Sequence, residues 1–318
     1  MKILANDGLS PSGIELLEKN GFTVVTEKVE QDQLANAINT ENYVGVLVRS
    51  ATTVRKEVID SCPNLKLIGR GGVGMDNIDV EYARSKGLEV INTPAASSQS
   101  VAELVFAHLF DVSRFLYDAN RNMVSEGNTN FKGLKKKYAK GIELRGKTIG
   151  IIGFGRIGQA VAQYALGIGM KVLAYDPFVN EATINLAIEG AGEIRITVNT
   201  TDFDTVLSQS DYLTLHVPMQ ADGSAVIGAT EFSKMKDGVI IANAARGGVV
   251  NEADLIAALD NGKVAHVALD VFVNEPTPAQ ALLKHPKISL TPHIGAATVE
   301  AQDRIGTELA EKITAYFN

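Results

Sequence analysis

Apolar positions along this chain fall into short runs that alternate with stretches of helical repeat. In the first half the runs are MKILAND, FTVVTE, YVGVLVRS, LKLIGR and LEVINT, and segments such as PSGIELLEKNG and TVRKEVIDSC lie between them. Runs of this length, rich in Val, Ile and Leu and bounded by Gly, Asn or Pro, predict strands, and the alternation predicts a parallel sheet with helices on both faces. The stretch SQSVAELVFAHLFDVSRFLYDANRNMV, starting at Ser98 or Ser100, predicts one long helix that links two domains. Residues 125–146 are polar and basic, with Lys135, Lys136 and Lys137 in a row, and read as a surface loop or arm. From Lys147 the alternation restarts with KTIGIIG, MKVLAYD, EIRITV, YLTLHVP, GVIIANAA, AHVALDVF and ISLTPHIG. This second series is the more apolar, as strands covered on both faces are. An amphipathic helix at the C-terminus is expected to pack back on the first domain.

Composition narrows the class without naming it. A chain of 318 residues that is 45% hydrophobic and 21% charged is expected to form two globular domains. The net charge of −7 argues against a body that grips nucleic acid through its overall field, so any anion has to be held locally. The single cysteine, Cys62, cannot form an internal disulfide and reads as a small packed thiol. The N-terminus lacks a long apolar leader and no stretch is apolar enough to span a bilayer, which makes cytoplasmic residence the expectation. Cys and His are not spaced for zinc, and no metal is expected.

Two glycine loops satisfy G-x-G-x-x-G. Gly153, Gly155 and Gly158 follow the strand KTIGII directly and open a helical run, which is the context a dinucleotide needs. The first glycine permits the tight turn, the second lets the backbone approach a pyrophosphate, and the third allows close packing of helix on strand. The next strand ends in Asp176, 18 positions after Gly158. An acid there accepts from both ribose hydroxyls and repels a 2′-phosphate, so NAD is expected over NADP. The upstream loop, Gly69, Gly71 and Gly74, has Asn92 where the acid should stand and Arg70 inside the loop, and is read as a site for a small anion.

Three strand ends of the second half carry polar residues: Arg246 in ANAARGGVV, Glu275 in DVFVNEP and His293 in LTPHIGAAT. On the residues alone, Glu275 before Pro276 also fits the start of a turn, and Arg246 before two glycines a surface fork. His108, His266 and His285 are read as satisfied structural histidines. Through VRS, GRGGVGMDNID, SVAELV, GFGRIGQAVA, HVP, NAARGGVV, ALDVF, NEP and TPHIGAAT, in that order, the chain resembles the D-isomer-specific 2-hydroxyacid dehydrogenases, and among them the members that act on 3-phosphoglycerate.

The resemblance implies an Arg–Glu–His set on Arg246, Glu275 and His293. His293 is then the base that takes the hydroxyl proton as hydride leaves C2, Glu275 holds the other ring nitrogen, and Arg246 holds the carboxylate. It also places Arg156 and Ile157 at the pyrophosphate, His216, Val217 and Pro218 along the adenosine, Ala244 and Asp270 near the nicotinamide, and Gly295 beside the catalytic histidine. Backbone N–H groups at Val73 and Gly74 are expected to help bind the substrate carboxylate.

The fold expected is therefore α/β, with two doubly wound parallel-sheet, Rossmann-like domains and the active site in the cleft. Residues 1–97 plus 296–318 form a flavodoxin-like substrate domain, and 98–295 the NAD-binding domain. Arg49 and Arg70, with the lysine arm, are cations on an acidic chain and suit a substrate carrying phosphate as well as carboxylate, whereas glyoxylate, hydroxypyruvate or lactate needs no second basic group. The long apolar stretch from Ser100 to Tyr117 leads to the expectation of a homodimer. A chain ending at Asn318 is expected to lack a C-terminal regulatory domain. A dinucleotide-sensing corepressor and a non-catalytic NAD-binding module are the alternatives, and both are disfavoured by the three polar strand ends.

Overall fold

The computed structural model describes residues 1–318, which divide into two compact units, 1–100 with 296–318 and 101–295. In unit 1 the chain runs β1 (Lys2–Ala5), α1 (Pro11–Lys19), β2 (Thr23–Val25), α2 (Leu34–Thr40), β3 (Tyr43–Val48), α3 (Lys56–Ser61), β4 (Leu67–Arg70), α4 (Val80–Ser85) and β5 (Glu89–Asn92). The strands form one parallel sheet in the order β2-β1-β3-β4-β5, the flavodoxin-like winding whose order reverses between β1 and β3. Ser10 caps α1 by accepting from Gly13 N, with Pro11 in the first turn. Cys62 is buried among Leu34, Val46, Ile59 and Ile68 on one face of the sheet.

From residue 98 the chain continues as α5 (Ser98–Arg114), α6 (Leu116–Glu126), α7 (Phe131–Lys137), β6 (Thr148–Ile152), α8 (Arg156–Gly167), β7 (Lys171–Tyr175), β8 (Glu181–Ile188), β9 (Gly192–Asn199), α9 (Phe203–Gln209), β10 (Tyr212–Leu215), α10 (Ala229–Lys234), β11 (Val239–Asn243), α11 (Glu252–Asp260), β12 (Val264–Leu269), α12 (Gln280–Leu283) and β13 (Ile288–Leu290). Six of the strands form a parallel sheet ordered β13-β12-β11-β10-β6-β7, reversing between β6 and β10. The last helix, α13 (Val299–Phe317), belongs to unit 1. Its Ile305, Leu309, Ala310 and Ile313 share a core with Ile3, Leu17, Leu47 and Leu67.

Four expectations need correction. The long helix is broken at Phe115, which takes a left-handed backbone (φ 57°), and Asp111 Oδ1 accepts from Tyr117 N to start α6. The basic arm contains the helix α7, whose last turn holds the three lysines, where cations suit the helix dipole. Lys137 there pairs with Asp118 of α6 at 2.9 Å. EIRITV is a strand, but it pairs antiparallel with the preceding β8 in a separate two-stranded ribbon, turning at Gly190.

The physical reason given for the dimer also changes. Ala102, Val105, Phe106, Leu109 and Val112 are consumed by the unit's own core. The exposed apolar side chains are instead Phe110, Leu116, Tyr117, Met123 and Val124, mostly on α6. No helix is long and apolar enough to cross a membrane.

Candidate active site

In a parallel sheet all strands end at the same edge, and every candidate residue of unit 2 follows a strand end there. Gly153 follows β6, Asp176 follows β7, His216 to Pro218 follow β10, Ala244 and Arg246 follow β11, Asp270 and Glu275 follow β12, and His293 and Gly295 follow β13. The topology thus gathers residues spread over more than a hundred positions without any of them choosing a neighbour in sequence.

At the switch point the turn after β6 leads straight into α8. A side chain at Gly158 would put its Cβ 2.1 Å from the Gly153 carbonyl oxygen, so the helix can approach the strand this closely only with glycine there. Gly155 is the N-cap of α8, makes no side-chain cap bond, and has open space where a Cβ would stand. A 12-residue helix with an uncapped N-terminus beside open space suits a pyrophosphate, with Arg156 exposed and Ile157 half-buried in its first turn. The residues present therefore fit a dinucleotide. The upstream loop does not, because no helix follows Gly74 until α4 starts at Val80. It is a coil tied down by Asn92, whose amide donates to the Val73 carbonyl at 2.7 Å.

Asp176 is half-buried and accepts backbone N–H groups from Phe154 (2.7 Å), Phe178 (2.8 Å) and Val179 (3.2 Å). It therefore braces the glycine turn as well as standing at the expected ribose position. Asp176→Asn keeps an acceptor for Phe154 but removes the charge that repels a 2′-phosphate. We expect the preference for NADH over NADPH to shrink at least about tenfold while the fold is kept, measured by fluorescence titration with both cofactors. An unchanged preference removes Asp176 from cofactor selection.

His216 donates its backbone N–H to Ile152 O, and its Nε2 lies 3.0 Å from Thr214 Oγ1. Burial pushes its imidazole to about 3, so the ring is neutral, and Nδ1 has no protein partner.

The acid–base set is assembled by loops. His293 Nδ1 is 2.7 Å from Glu275 Oε2, and Glu275 Oε1 accepts from Phe272 N at 2.9 Å. Both side chains remain about one-third exposed (35% and 34%), open enough for a small molecule to reach the free ring nitrogen. Burial works against the Glu275 charge. The hydrogen bonds from His293 and Phe272 N and the charges of His293 and Arg246 outweigh it and hold the carboxyl below its ordinary range.

His293 itself has a left-handed backbone (φ 55°), uncommon for a residue with a Cβ. Asp270, 1% exposed, holds that turn: its carboxylate accepts from Ile294 N and Gly295 N, each at 2.8 Å, and from the Thr291 hydroxyl at 2.6 Å. Arg246 is half-buried, and its Nη1 donates to Ala245 O at 2.6 Å. The Arg246 turn is shaped by buried Asn243, whose amide donates to Arg246 O and accepts from Ala245 N. A Cβ at Gly247 would meet Phe272 O at 1.9 Å, so only glycine lets this turn press on the segment leading to Glu275.

Because the folded Glu275 carboxyl lies below its unfolded value, its contribution is complete above the ordinary carboxylate range and is lost as pH falls through the lowered value. Glu275→Gln removes the charge that supports a protonated His293. We expect kcat to drop at least about tenfold, read by steady-state turnover, with NADH affinity retained. An unaltered kcat leaves Glu275 without a part in turnover.

In unit 1, Arg49 and Arg70 stand at the ends of the paired strands β3 and β4, where Val48 is in register with Arg70. Asp7 fixes the first of these ends, accepting from Arg49 N at 2.6 Å and from Thr52 N and its hydroxyl. Asn77 donates to Arg49 O and Thr52 O. Val73 is exposed and Gly74 half-buried on the following coil. Asn243, Thr291 and Ser289 were not singled out from sequence. Asn243 stood inside the quoted NAARGG motif, and its position as the last residue of a buried strand was the available signal.

Fold and site together define a dinucleotide-binding α/β protein with a histidine–glutamate pair at its sheet edge. Residues 106–295 match the family model "D-isomer specific 2-hydroxyacid dehydrogenase, NAD binding domain". Among curated proteins, a D-3-phosphoglycerate dehydrogenase of Archaeoglobus fulgidus is 44% identical over 98% of this chain and 56% of its own length. A hydroxypyruvate reductase of Thermotoga maritima is 42% identical over 98% of this chain and 97% of its own. A glyoxylate reductase from Paecilomyes thermophila, known as a crystal structure, superposes with a TM-score of 0.83 at 26% identity, covering 100% of this chain and 95% of that one. The chain belongs to the D-isomer-specific 2-hydroxyacid dehydrogenases, and unit 2 is its NAD-binding domain. It spans little more than half the length of the phosphoglycerate dehydrogenase just described and nearly all of the hydroxypyruvate reductase.

Proposed function

We propose that the protein transfers a hydride between NAD and C2 of a D-2-hydroxy acid, with 3-phosphoglycerate and 3-phosphohydroxypyruvate as the preferred pair. The observation that carries the reading is the 2.7 Å contact between His293 and Glu275 at the sheet edge where the glycine turn of the NAD-binding domain also opens. Gly153, Gly155, Arg156, Ile157 and Gly158 would hold the pyrophosphate, Asp176 the adenosine ribose, His216, Val217 and Pro218 the adenosine side, and Ala244, Asp270 and Gly295 the nicotinamide end. Bound there, the cofactor supplies the two-electron acceptor or, when reduced, the donor.

In the oxidative direction the His293 Nε2 lone pair takes the proton of the C2 hydroxyl, and the Glu275 carboxylate stabilises the resulting imidazolium through Nδ1. In reduction His293 returns the proton. Arg246 grips the C1 carboxylate and polarises the C2 oxygen, a task for which a planar fork suits better than an ammonium. Backbone N–H groups at Val73 and Gly74 are the further donors assigned to the substrate carboxylate.

Arg49, just past the end of β3 and beside the loop that starts at Arg70, supports a phosphate at C3, since a planar guanidinium can donate to two of its oxygens. A second reading, reduction of unphosphorylated hydroxypyruvate, is favoured by the reductase relative that matches almost end to end. Catalytic efficiencies on phosphohydroxypyruvate, hydroxypyruvate, glyoxylate and pyruvate decide between them. We expect at least about a tenfold advantage for the phosphorylated acid, lost in Arg49→Ala; a preference for any unphosphorylated acid overturns the substrate and leaves the reaction class standing. We further propose a homodimer that covers the exposed apolar residues of α6, and a cytoplasmic location.

A further inference from the structure

A polar chain of His108, Ser289, Thr291 and Asp111, none of which the proposed chemistry uses, leads to Asp270 and the His293 turn. His108, on α5 and only 6% exposed, has Nδ1 2.9 Å from Ser289 Oγ and Nε2 2.9 Å from Thr291 Oγ1. Each hydroxyl also touches a carboxylate at 2.6 Å: Ser289 that of Asp111, and Thr291 that of Asp270. The Asp270 carboxylate also accepts from the N–H groups of Ile294 and Gly295, in the two peptides that follow His293.

We infer that His108 is a positioning residue for the candidate base: from α5 it orients Ser289 and Thr291 so that Thr291 and Asp270 together fix the turn carrying His293.

Counting protons gives this chain its character. The two imidazole–hydroxyl and two hydroxyl–carboxylate contacts need one hydrogen each. The hydroxyls bring two and a neutral imidazole brings one, so with a neutral ring the four contacts share three hydrogens. Burial holds His108 below the ordinary imidazole range and outweighs the charges of Asp270 and of Asp111, the latter on its own helix. The neutral ring donates to one of the two hydroxyls and packs between both. Asp111 also holds Tyr117 N, so the chain of bonds runs from the start of α6 to the His293 turn.

The inference rests on the proposed role of His293 as base, but two of its tests do not need turnover. In the folded, unsubstituted chain labelled with 15N-histidine, we expect the ring-nitrogen signals of one buried imidazole to move in Ser289→Ala and Thr291→Val. Signals unmoved by both substitutions overturn the inference. Hydrogen exchange of the Ile294 and Gly295 amides should quicken at least about tenfold in His108→Leu while that of Phe154 is unchanged; equal protection in both proteins overturns it.

Kinetically, His108→Leu and Thr291→Val should each lower kcat about tenfold with KM for NADH kept within about twofold, and the double variant should be no worse than the poorer single one. Additive losses, or a loss confined to KM, contradict a shared path to His293. If no 2-keto acid is turned over by the unsubstituted protein, the functional reading fails while the spectroscopic and exchange results still decide the role of His108.

Discussion

His293→Ala is expected to reduce turnover by a factor on the order of 10²–10⁴ while NADH binds with nearly its original affinity. In the proposed mechanism the imidazole acts on the substrate proton, and nothing in the glycine turn or at Asp176 depends on it: the turn is held by its own backbone bonds and by Asp176 against Phe154 N. Glu275 loses one partner but keeps the Phe272 N–H, and its one-third exposure lets water take the vacated place. The substitution therefore costs activity far more than stability. Fluorescence titration with NADH alongside steady-state turnover separates the two, and retained turnover removes His293 from the mechanism.

Arg246→Ala is expected to lower kcat/KM by a factor on the order of 10²–10³, through loss of both carboxylate binding and polarisation of the C2 oxygen. Arg246→Lys restores the charge without the planar fork and should recover only part of the loss. The Ala variant has a second signature. Arg246 is one of the charges that hold the Glu275 carboxyl low, so its removal raises that carboxyl toward its ordinary range. The Glu275 contribution is then lost at a higher pH as the solution is acidified, and the acid side of the pH–activity profile moves upward. Added guanidinium should restore part of the activity of Arg246→Ala and none of that of His293→Ala. Equal rescue of both, or a loss confined to NADH affinity, contradicts the assignment.

The sheets were legible because parallel strands buried on both faces demand apolar runs, and KTIGIIG and GVIIANAA have few other uses. The site was legible for a related reason. Strand ends are the one place where a buried sheet tolerates Arg246, Glu275 and His293, so their positions spoke before any contact was known. What escaped was set by local backbone or by long-range pairing. The β8–β9 ribbon alternates as a strand should, with Ala182, Ile184, Ile196 and Val198 turned to the core, yet its partner is the neighbouring segment and not the main sheet. Only the close glycines at 190 and 192, both with positive φ, mark the turn. The break at Phe115 follows from Asp111 capturing Tyr117 N, which no periodicity reveals.

From sequence alone His108 reads as a satisfied structural histidine. Its partners lie 181 and 183 positions away, on the segment that leads to the His293 turn, so its bearing on His293 emerges only once α5 and β13 are brought together. Asp270 lies in the ALDVF motif, and the family resemblance put it near the nicotinamide. Its carboxylate is engaged by Thr291, Ile294 and Gly295, which makes it the support of the turn that carries His293.

The most direct test of the account is isotopic. NADH deuterated at the transferring C4 position is mixed with 3-phosphohydroxypyruvate and the enzyme, and the product is examined by mass spectrometry and chiral analysis. One deuterium is expected at C2 of the D-configured 2-hydroxy acid, and none when His293→Ala is used over the same period. Deuterium lost to water, an L-configured product, or transfer undiminished in His293→Ala would contradict it.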